Sequence, residues 1–478
     1  MIYRITGFLL LIETAMLLCC GGVSLLYHED DLISFLQSAS LTALMGVVLL
    51  FIGRGAEKQL GRRDGYVIVT VAWLAFSLFG MLPFYLSGYI PSITNAFFET
   101  MSGFSSTGAT ILNDIEKLPH GLLFWRSMTQ WIGGLGIVFF TIAVLPIFGV
   151  GGIQVFAAEA SGPTHDKVHP RIGITAKWIW GIYAGLTGTL IILLMFGGMN
   201  IFDSICHAFA TTSTGGFSTK QASIEYYHSP YIEYVISIFM FISGINFTLL
   251  LLFVNGKLKK FVHDAELKWY FWSVTGFTIG IAAILYYNSS MGVEEAFRKS
   301  LFQVASLHTS TGFATADYMT WPAITWGMLT VIMIMGACAG STTGGIKSIR
   351  LVILAKGSRN EFKHIIHPNA VLPVRVNKQV ISPSIRSTVL AFTFLYTVLI
   401  IAGTLAMLGL GVGLTESLGC TISSLGNMGP GLGLCGPAYS WNELPDAAKW
   451  LMSFFMLLGR LELFTVLLLF SSDFWKKN

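Results

Sequence analysis

Runs of about twenty nearly uncharged residues recur along the whole chain, and each is long enough as a helix to cross a ~30 Å hydrocarbon core. Full-length runs fall in segments 5–27, 32–53, 66–88, 122–150, 173–197, 231–255, 270–287, 321–355, 386–410 and 447–471. Shorter apolar stretches such as "ITNAFFETMSGF" and "VEEAFRKSLFQVASLH" lie between some of them. As helices they would measure roughly 15–24 Å, too short to cross. The pattern predicts an all-α polytopic membrane protein.

Composition agrees. Of the 478 residues, 54% are hydrophobic and only 11% charged, against about 25% charge in a soluble domain. The first run, Ile5 to Leu26, is too long for the apolar core of a signal peptide, so it is expected to stay as a span. "LLCC" at Leu17–Cys20 lacks the small residue that a lipid-attachment box needs before its cysteine. The six cysteines, Cys19, Cys20, Cys206, Cys338, Cys420 and Cys435, form no CxxC pair and read as small core residues, not metal ligands or a disulfide framework.

A net charge of +4 is too small and dispersed for a nucleic-acid partner, but its placement is informative. Connectors after even-numbered spans are basic: Arg54, Lys58, Arg62 and Arg63, then Lys257, Lys259, Lys260 and Lys268, then Lys356, Arg359, Lys363, Arg375, Lys378 and Arg386. The opposite connectors hold Glu29, Asp30, Asp31, Asp114, Glu116, Asp317, Glu443 and Asp446. The positive-inside rule predicts both termini in the cytoplasm.

"GACAGSTTGGIKS", Gly336–Ser348, has the look of a phosphate-binding loop, but the match fails. Gly340 and Gly345 have the spacing of GxxxxG, yet Ile346 stands where the lysine must follow directly, which re-aims Lys347. Nothing else in the chain suggests a nucleotide-binding domain.

Internal repetition is the strongest signal. "FSSTGAT" (104–110), "TTSTGGFST" (211–219), "LHTSTGFAT" (307–315) and "ISSLGNMGPG" (422–431) all lie on the outer side, with marked glycines Gly108, Gly215, Gly312 and Gly426 roughly a hundred residues apart. Each follows a full span and a short apolar piece and precedes another full span. The predicted architecture is four pseudo-symmetric helix–pore-loop–helix repeats (61–155, 156–262, 263–365 and 366–478) around one central pore. Residues 1–60 add an N-terminal two-helix hairpin.

Irregular backbone at membrane depth is tolerated only where it is buried in protein or lines a watery cavity. A selectivity filter needs inward carbonyls and small residues that accept unusual dihedrals, which Ser/Thr-Gly elements supply. The same elements also pack membrane helices closely when they occur singly; four in phase, each behind a half-length helix, favour the filter. The candidate filter residues are Ser106, Thr107, Gly108 and Ala109; Ser213, Thr214, Gly215 and Gly216; Ser310, Thr311, Gly312 and Phe313; and Ser424, Leu425, Gly426 and Asn427. The C-terminal end of each short helix would face the cavity, where its dipole favours a cation.

These motifs, with "FWRSMTQWIGGLGI", "GACAGSTTGGIKS", "HPNAV" and "MLLGRLELFT", resemble the Trk/Ktr/HKT superfamily of potassium transporters, in its TrkH branch, over nearly the whole chain. The resemblance implies a four-loop filter selective for K⁺ and Rb⁺ over Na⁺, with K⁺ as the bound and transported ion and no organic cofactor on this chain. A serine in place of the first filter glycine marks sodium-permeable relatives; Gly108 is glycine here. Leu425 departs from the Ser-Thr-Gly theme as TrkH-like proteins do. The resemblance further implies a homodimer in the bacterial inner membrane and a separate cytoplasmic ring, TrkA, that binds NAD or ATP, for which the basic connectors at 256–268 and 356–386 are a docking surface. Those lysines could equally face anionic lipid.

It also implies a gate under the filter, placed here at Gly336, Ala337, Cys338, Ala339, Gly340, Ser341, Thr342, Thr343, Gly344, Gly345 and Lys347, with Arg460. An arginine at mid-span costs roughly 2.5–3.5 kcal/mol unless it is paired or hydrated. Arg460 is therefore expected to face the interior and to bind carbonyls freed by the broken glycine-rich helix, latching that loop across the pore. The bland alternative is satisfaction by Glu462, though residues two apart lie on different helix faces. Asn246 and Gln130 read as packing or cavity-lining groups, and Arg126, near the outer end of its span, as a snorkelling side chain.

The leading function is gated potassium uptake down the membrane potential; the alternative within transport is proton- or sodium-coupled symport, for which no acidic residue is clearly placed. An intramembrane enzyme built on His207 or His308 would need an orienting acid and a nucleophile motif, and the sequence supplies neither.

Overall fold

The computed structural model of the chain describes residues 1–55, 62–134, 136 and 172–476. Lys58, the inner half of segment 122–150 and the 155/156 repeat boundary lie outside the described residues.

The N-terminal hairpin comprises α1 (Ile2–Tyr27) and α2 (Leu32–Ile52), and α1 packs on the first repeat. Each repeat then supplies a span, a short pore helix and a second span. The first holds α3 (Arg62–Gly80), α4 (Ile93–Phe104) and α5 (His120–Gly134); the second α6 (Ile172–Phe196), α7 (Ile201–Thr212), and α8 (Pro230–Ser243) with α9 (Phe247–Val254). The third holds α10 (Ala265–Asn288), α11 (Val293–His308), and α12 (Ala323–Ile334) with α13 (Ser348–Ile366). A two-stranded hairpin, β1 (Arg375–Val376) and β2 (Gln379–Val380), leads to the fourth: α14 (Pro383–Gly409), α15 (Leu414–Gly426), and α16 (Asp446–Arg460) with α17 (Phe464–Leu467).

Local chemistry starts these helices. Ser92 caps α4 by accepting from the Asn95 amide at 3.4 Å, and Asn200 caps α7 through the Asp203 amide at 2.7 Å. The pore helices α4, α7, α11 and α15 are 12, 12, 16 and 13 residues long, and their last two turns are almost wholly buried. Among the described residues, six single helices are long and apolar enough to cross a membrane.

The four repeats close on themselves. The second span of each packs on the pore helix of the next: α5 on α7, α8 on α11, α12 on α15, and α16 back on α4.

Two expected continuous spans are broken. Segment 231–255 bends by 102° between α8 and α9, and segment 447–471 bends by 111° after α16. At the first break Asn246 caps α9, its Oδ1 accepting from the Thr248 amide at 2.7 Å. At the second, Glu462 and Leu463 take φ values of 55° and 54°, which no α-helix accommodates. With the α12/α13 interruption, three second spans break in their middle among the described residues.

Candidate functional site

Each pore helix ends in the same turn. Ser106, Thr214, Ser310 and Asn427 adopt left-handed backbone, with φ of 54°, 54°, 53° and 50°. The next amide in each case reaches back five residues: Thr107 to Ser102 O at 2.8 Å, Gly215 to Ala210 O at 2.8 Å, Thr311 to Ser306 O at 2.8 Å and Met428 to Ser423 O at 3.0 Å. This is the Schellman closure of a helix C-terminus. Left-handed backbone is unusual for serine and strained for β-branched threonine, so the surrounding packing enforces it.

That turn fixes the register and corrects the sequence alignment. Gly108, Gly216, Gly312 and Gly429, with φ of 85°, 77°, 84° and 92°, are the structurally equivalent glycines. Gly215 therefore matches Thr107, one position earlier than expected, and Gly426 ends its pore helix three residues before the true equivalent. Ser424 and Leu425 also belong to α15, and Met428 and Gly429 occupy the extended limb that Thr107 and Gly108 occupy in the first loop. The misreading followed from Gly215–Gly216 being adjacent and from the fourth loop offering Gly426, Gly429 and Gly431 within six residues.

In the corrected register the four loops form a ring. A Cβ on Gly108 would strike the carbonyl of Gly215; on Gly216, that of Thr311; on Gly312, that of Met428; and on Gly429, that of Thr107. Each glycine thus lets the carbonyl at the equivalent position of the following repeat come against its own backbone, and the cycle closes. In the first three loops the glycine is also a partly exposed point within a largely buried stretch.

Beneath the ring lies the glycine-rich segment between α12 and α13. Its two ends are zipped together: the Gly336 amide donates to Ile346 O at 2.8 Å and the Ser348 amide to Ala337 O at 2.9 Å. From there the segment touches the ends of three pore helices. Thr342 Oγ1 lies 3.1 Å from Thr214 Oγ1, the Gly344 amide donates to Ser310 Oγ at 2.8 Å, and a Cβ on Gly344 would meet the Gly426 carbonyl. Ser341 is tied internally to Cys338 O at 2.6 Å, and the buried Lys347 Nζ donates to the Thr343 carbonyl. Gly340 is the exposed tip, whose carbonyl accepts from the Phe247 amide at 3.0 Å.

Arg460 is the last residue of α16, at the break and not in mid-helix. Its Nη1 donates to Thr342 O at 2.8 Å and its Nη2 to Gly134 O at 2.6 Å and to Gly133 O, so one guanidinium joins the glycine-rich segment to the inner end of α5. Glu462 pairs instead with Arg350 of α13, whose guanidinium carbon sits 3.8 Å from the Phe392 ring centroid.

Three residues take roles that the sequence reading missed. Arg126 does not snorkel: it is 2% exposed, and its Nε donates to Glu99 Oε1 at 2.9 Å. Gln130 clamps the second loop, donating to Gly215 O at 2.6 Å and accepting from the Phe217 amide at 3.0 Å. Glu266 holds both ends of the glycine-rich segment, accepting from the Ala339 amide at 2.7 Å and the Ile349 amide at 3.0 Å. The available signal was an acid, close to Asp264, inside an otherwise basic inner connector. His207 offers no catalytic triad: Nδ1 meets the backbone carbonyl of Asp203 at 2.8 Å, and the Asp203 carboxylate accepts from Thr219 Oγ1 at 2.6 Å and Asn200 Nδ2 at 2.9 Å.

A family model described as TrkH, cation transport protein, matches residues 33–477. The chain belongs to the TrkH family. It is 38% identical over 486 residues to the Escherichia coli K12 protein named Trk system potassium uptake protein TrkH, covering 100% of this chain and 99% of that one. A Halomonas elongata protein named Trk system potassium uptake protein TrkI is 35% identical over 95% of this chain and 92% of its own length. The crystal structure of the potassium transporter TrkH from Vibrio parahaemolyticus superposes with a TM-score of 0.89 at 33% identity, covering 99% of both chains. This TrkH-family chain is therefore a multi-pass membrane protein with a cation-transport fold.

Proposed function

We propose that the chain takes up potassium across the bacterial inner membrane, through the axis ringed by Thr107–Gly108, Gly215–Gly216, Thr311–Gly312 and Met428–Gly429. The observation that carries this reading is the closed cycle of glycine-to-carbonyl contacts, since an ion is selected by a ring of backbone oxygens replacing its water. Potassium as cargo follows the names of the relatives and Gly108 in the first loop. The glycine-rich segment from Gly336 to Lys347 is the gate, and Arg460 its latch.

Both termini are cytoplasmic in this reading, and the repeats divide at 60/61, 155/156, 262/263 and 365/366. The chain works as a homodimer regulated by a cytoplasmic nucleotide-binding ring. Lys257, Lys259, Lys260 and Lys356, all exposed, would give that ring an electrostatic footing.

The test is rescue of a potassium-uptake-deficient bacterium at low external potassium, followed by flux through purified protein in liposomes. Wild type should rescue and Arg460→Ala should raise closed-state leak. Failure to rescue despite normal membrane insertion sinks the uptake reading, and unchanged leak and gating in Arg460→Ala sinks the latch.

A further inference from the structure

Seven residues before each left-handed turn, two helical turns back and so on the same face of the pore helix, stand Glu99, His207, Gln303 and Cys420. All four are at most 1% exposed. The first three reach across to the limb rising out of their own filter loop. Glu99 accepts from Thr110 Oγ1 at 2.9 and 3.0 Å and from the Ile111 amide at 3.0 Å. His207 Nε2 lies 2.9 Å from Ser218 Oγ, which occupies the register of Thr110, and Gln303 Nε2 donates to Ala316 O at 3.2 Å.

Cys420 cannot bridge that gap. The fourth limb is instead held at Gly431, again the register of Thr110, by the hydroxyl of Tyr318, which donates from the third repeat at 2.6 Å. Arg126 ties the first limb to the second: bonded to Glu99, it also donates from Nη1 to Ser218 O at 3.0 Å and covers the Phe217 ring at 4.1 Å. Four limbs are thus braced by four chemically different groups, three of them at the register of Thr110 and the third limb two residues further on, at Ala316.

We infer that Glu99, His207, Gln303 and Tyr318 are positioning residues that set ion discrimination by holding the rising limbs of the four loops at a fixed spacing. The inference rests on the reading of those loops as the ion filter. A carbonyl ring that discriminates by cavity size needs its oxygens held against closing around a smaller ion. The pore helix anchors each loop at its inner end through the Schellman turn, and the brace adds a tie higher on the limb, beside bonds such as Trp441 N to Thr110 O at 2.8 Å and Ser306 Oγ to Phe313 O at 2.7 Å. Because each brace is a different group, the loops are not interchangeable, and each is expected to weaken discrimination to its own degree.

The experiment measures reversal potentials of wild type, Glu99→Gln, His207→Leu, His207→Gln, Gln303→Leu and Tyr318→Phe in liposomes under K⁺/Na⁺ and K⁺/Rb⁺ gradients, alongside thermal unfolding of each protein. Wild type should prefer K⁺, and the Leu and Phe variants, each losing one hydrogen bond, should raise relative Na⁺ permeability by up to roughly tenfold. His207→Gln, which keeps a hydrogen-bonding group, should fall nearer wild type than His207→Leu. Glu99→Gln leaves Arg126 without its carboxylate and could fail to fold; the substitutions at the other three residues break no such ion pair and keep the test open. A wild type that does not discriminate would overturn the filter reading itself. A selective wild type with unchanged ratios in all folded variants would overturn the bracing alone, as would ratios that change only in step with lost thermal stability.

Discussion

At the scale of single residues the chain separates two uses of glycine. Gly216 sits at φ 77° with the Thr311 carbonyl where a side chain would be, so alanine there meets both backbone strain and a collision with rigid main chain. Gly185, on an exposed face of α6, has open space for 4 Å around the position a Cβ would take, and an ordinary helical backbone. Gly216→Ala should therefore lower potassium uptake by roughly tenfold or more, since a misplacement of about 1 Å in a built site costs that much or more. Gly185→Ala should leave uptake unchanged. Uptake by both variants at equal membrane abundance checks this; equal activity would show that the glycine-to-carbonyl contact does not control the ring.

At the scale of elements, the β1–β2 hairpin connects physically to the glycine-rich segment. Asn377, at the hairpin tip with φ 48°, donates from Nδ2 to Asp264 Oδ2 at 2.6 Å and accepts from the Ala265 amide at 2.8 Å. One residue on, Glu266 holds the Ala339 and Ile349 amides, and Val374, Val376 and Ile381 share an apolar cluster with Ala339 itself. Removing the tip contact with Asn377→Ala forfeits two hydrogen bonds of about 1 kcal/mol each. Hydrogen exchange should quicken across 337–349 while the pore helices keep their protection; no change in that segment would disconnect it from the hairpin. This linkage was not legible in the sequence, because it depends on Asp264, Glu266 and Asn377 meeting across about a hundred residues. The spans, the pore helices and the fourfold repeat were legible, because a hydrocarbon environment writes itself into long apolar runs. The breaks at Asn246 and at Glu462–Leu463 were not: hydropathy is blind to backbone direction, and only the glycines beside them hinted at a turn.

At the scale of the whole molecule, the ring exists only when all four repeats are folded and the last has packed back on the first, α16 against α4. No local fragment and no unfolded chain presents those oxygens together, so an ion held there binds the native state alone. Such a ligand stabilises by RT ln(1 + [L]/Kd), about 2.7 kcal/mol at a hundred times Kd. Raising potassium should therefore raise the thermal unfolding midpoint of the purified protein in detergent, while sodium or lithium at the same ionic strength should raise it much less. Gly216→Ala, which disturbs one quarter of the ring, should lose the potassium-specific increment and keep the sodium baseline. Screening of the inner basic connectors responds to any monovalent salt alike, so equal protection by all three cations would assign the effect to screening and count against an ion-selective ring.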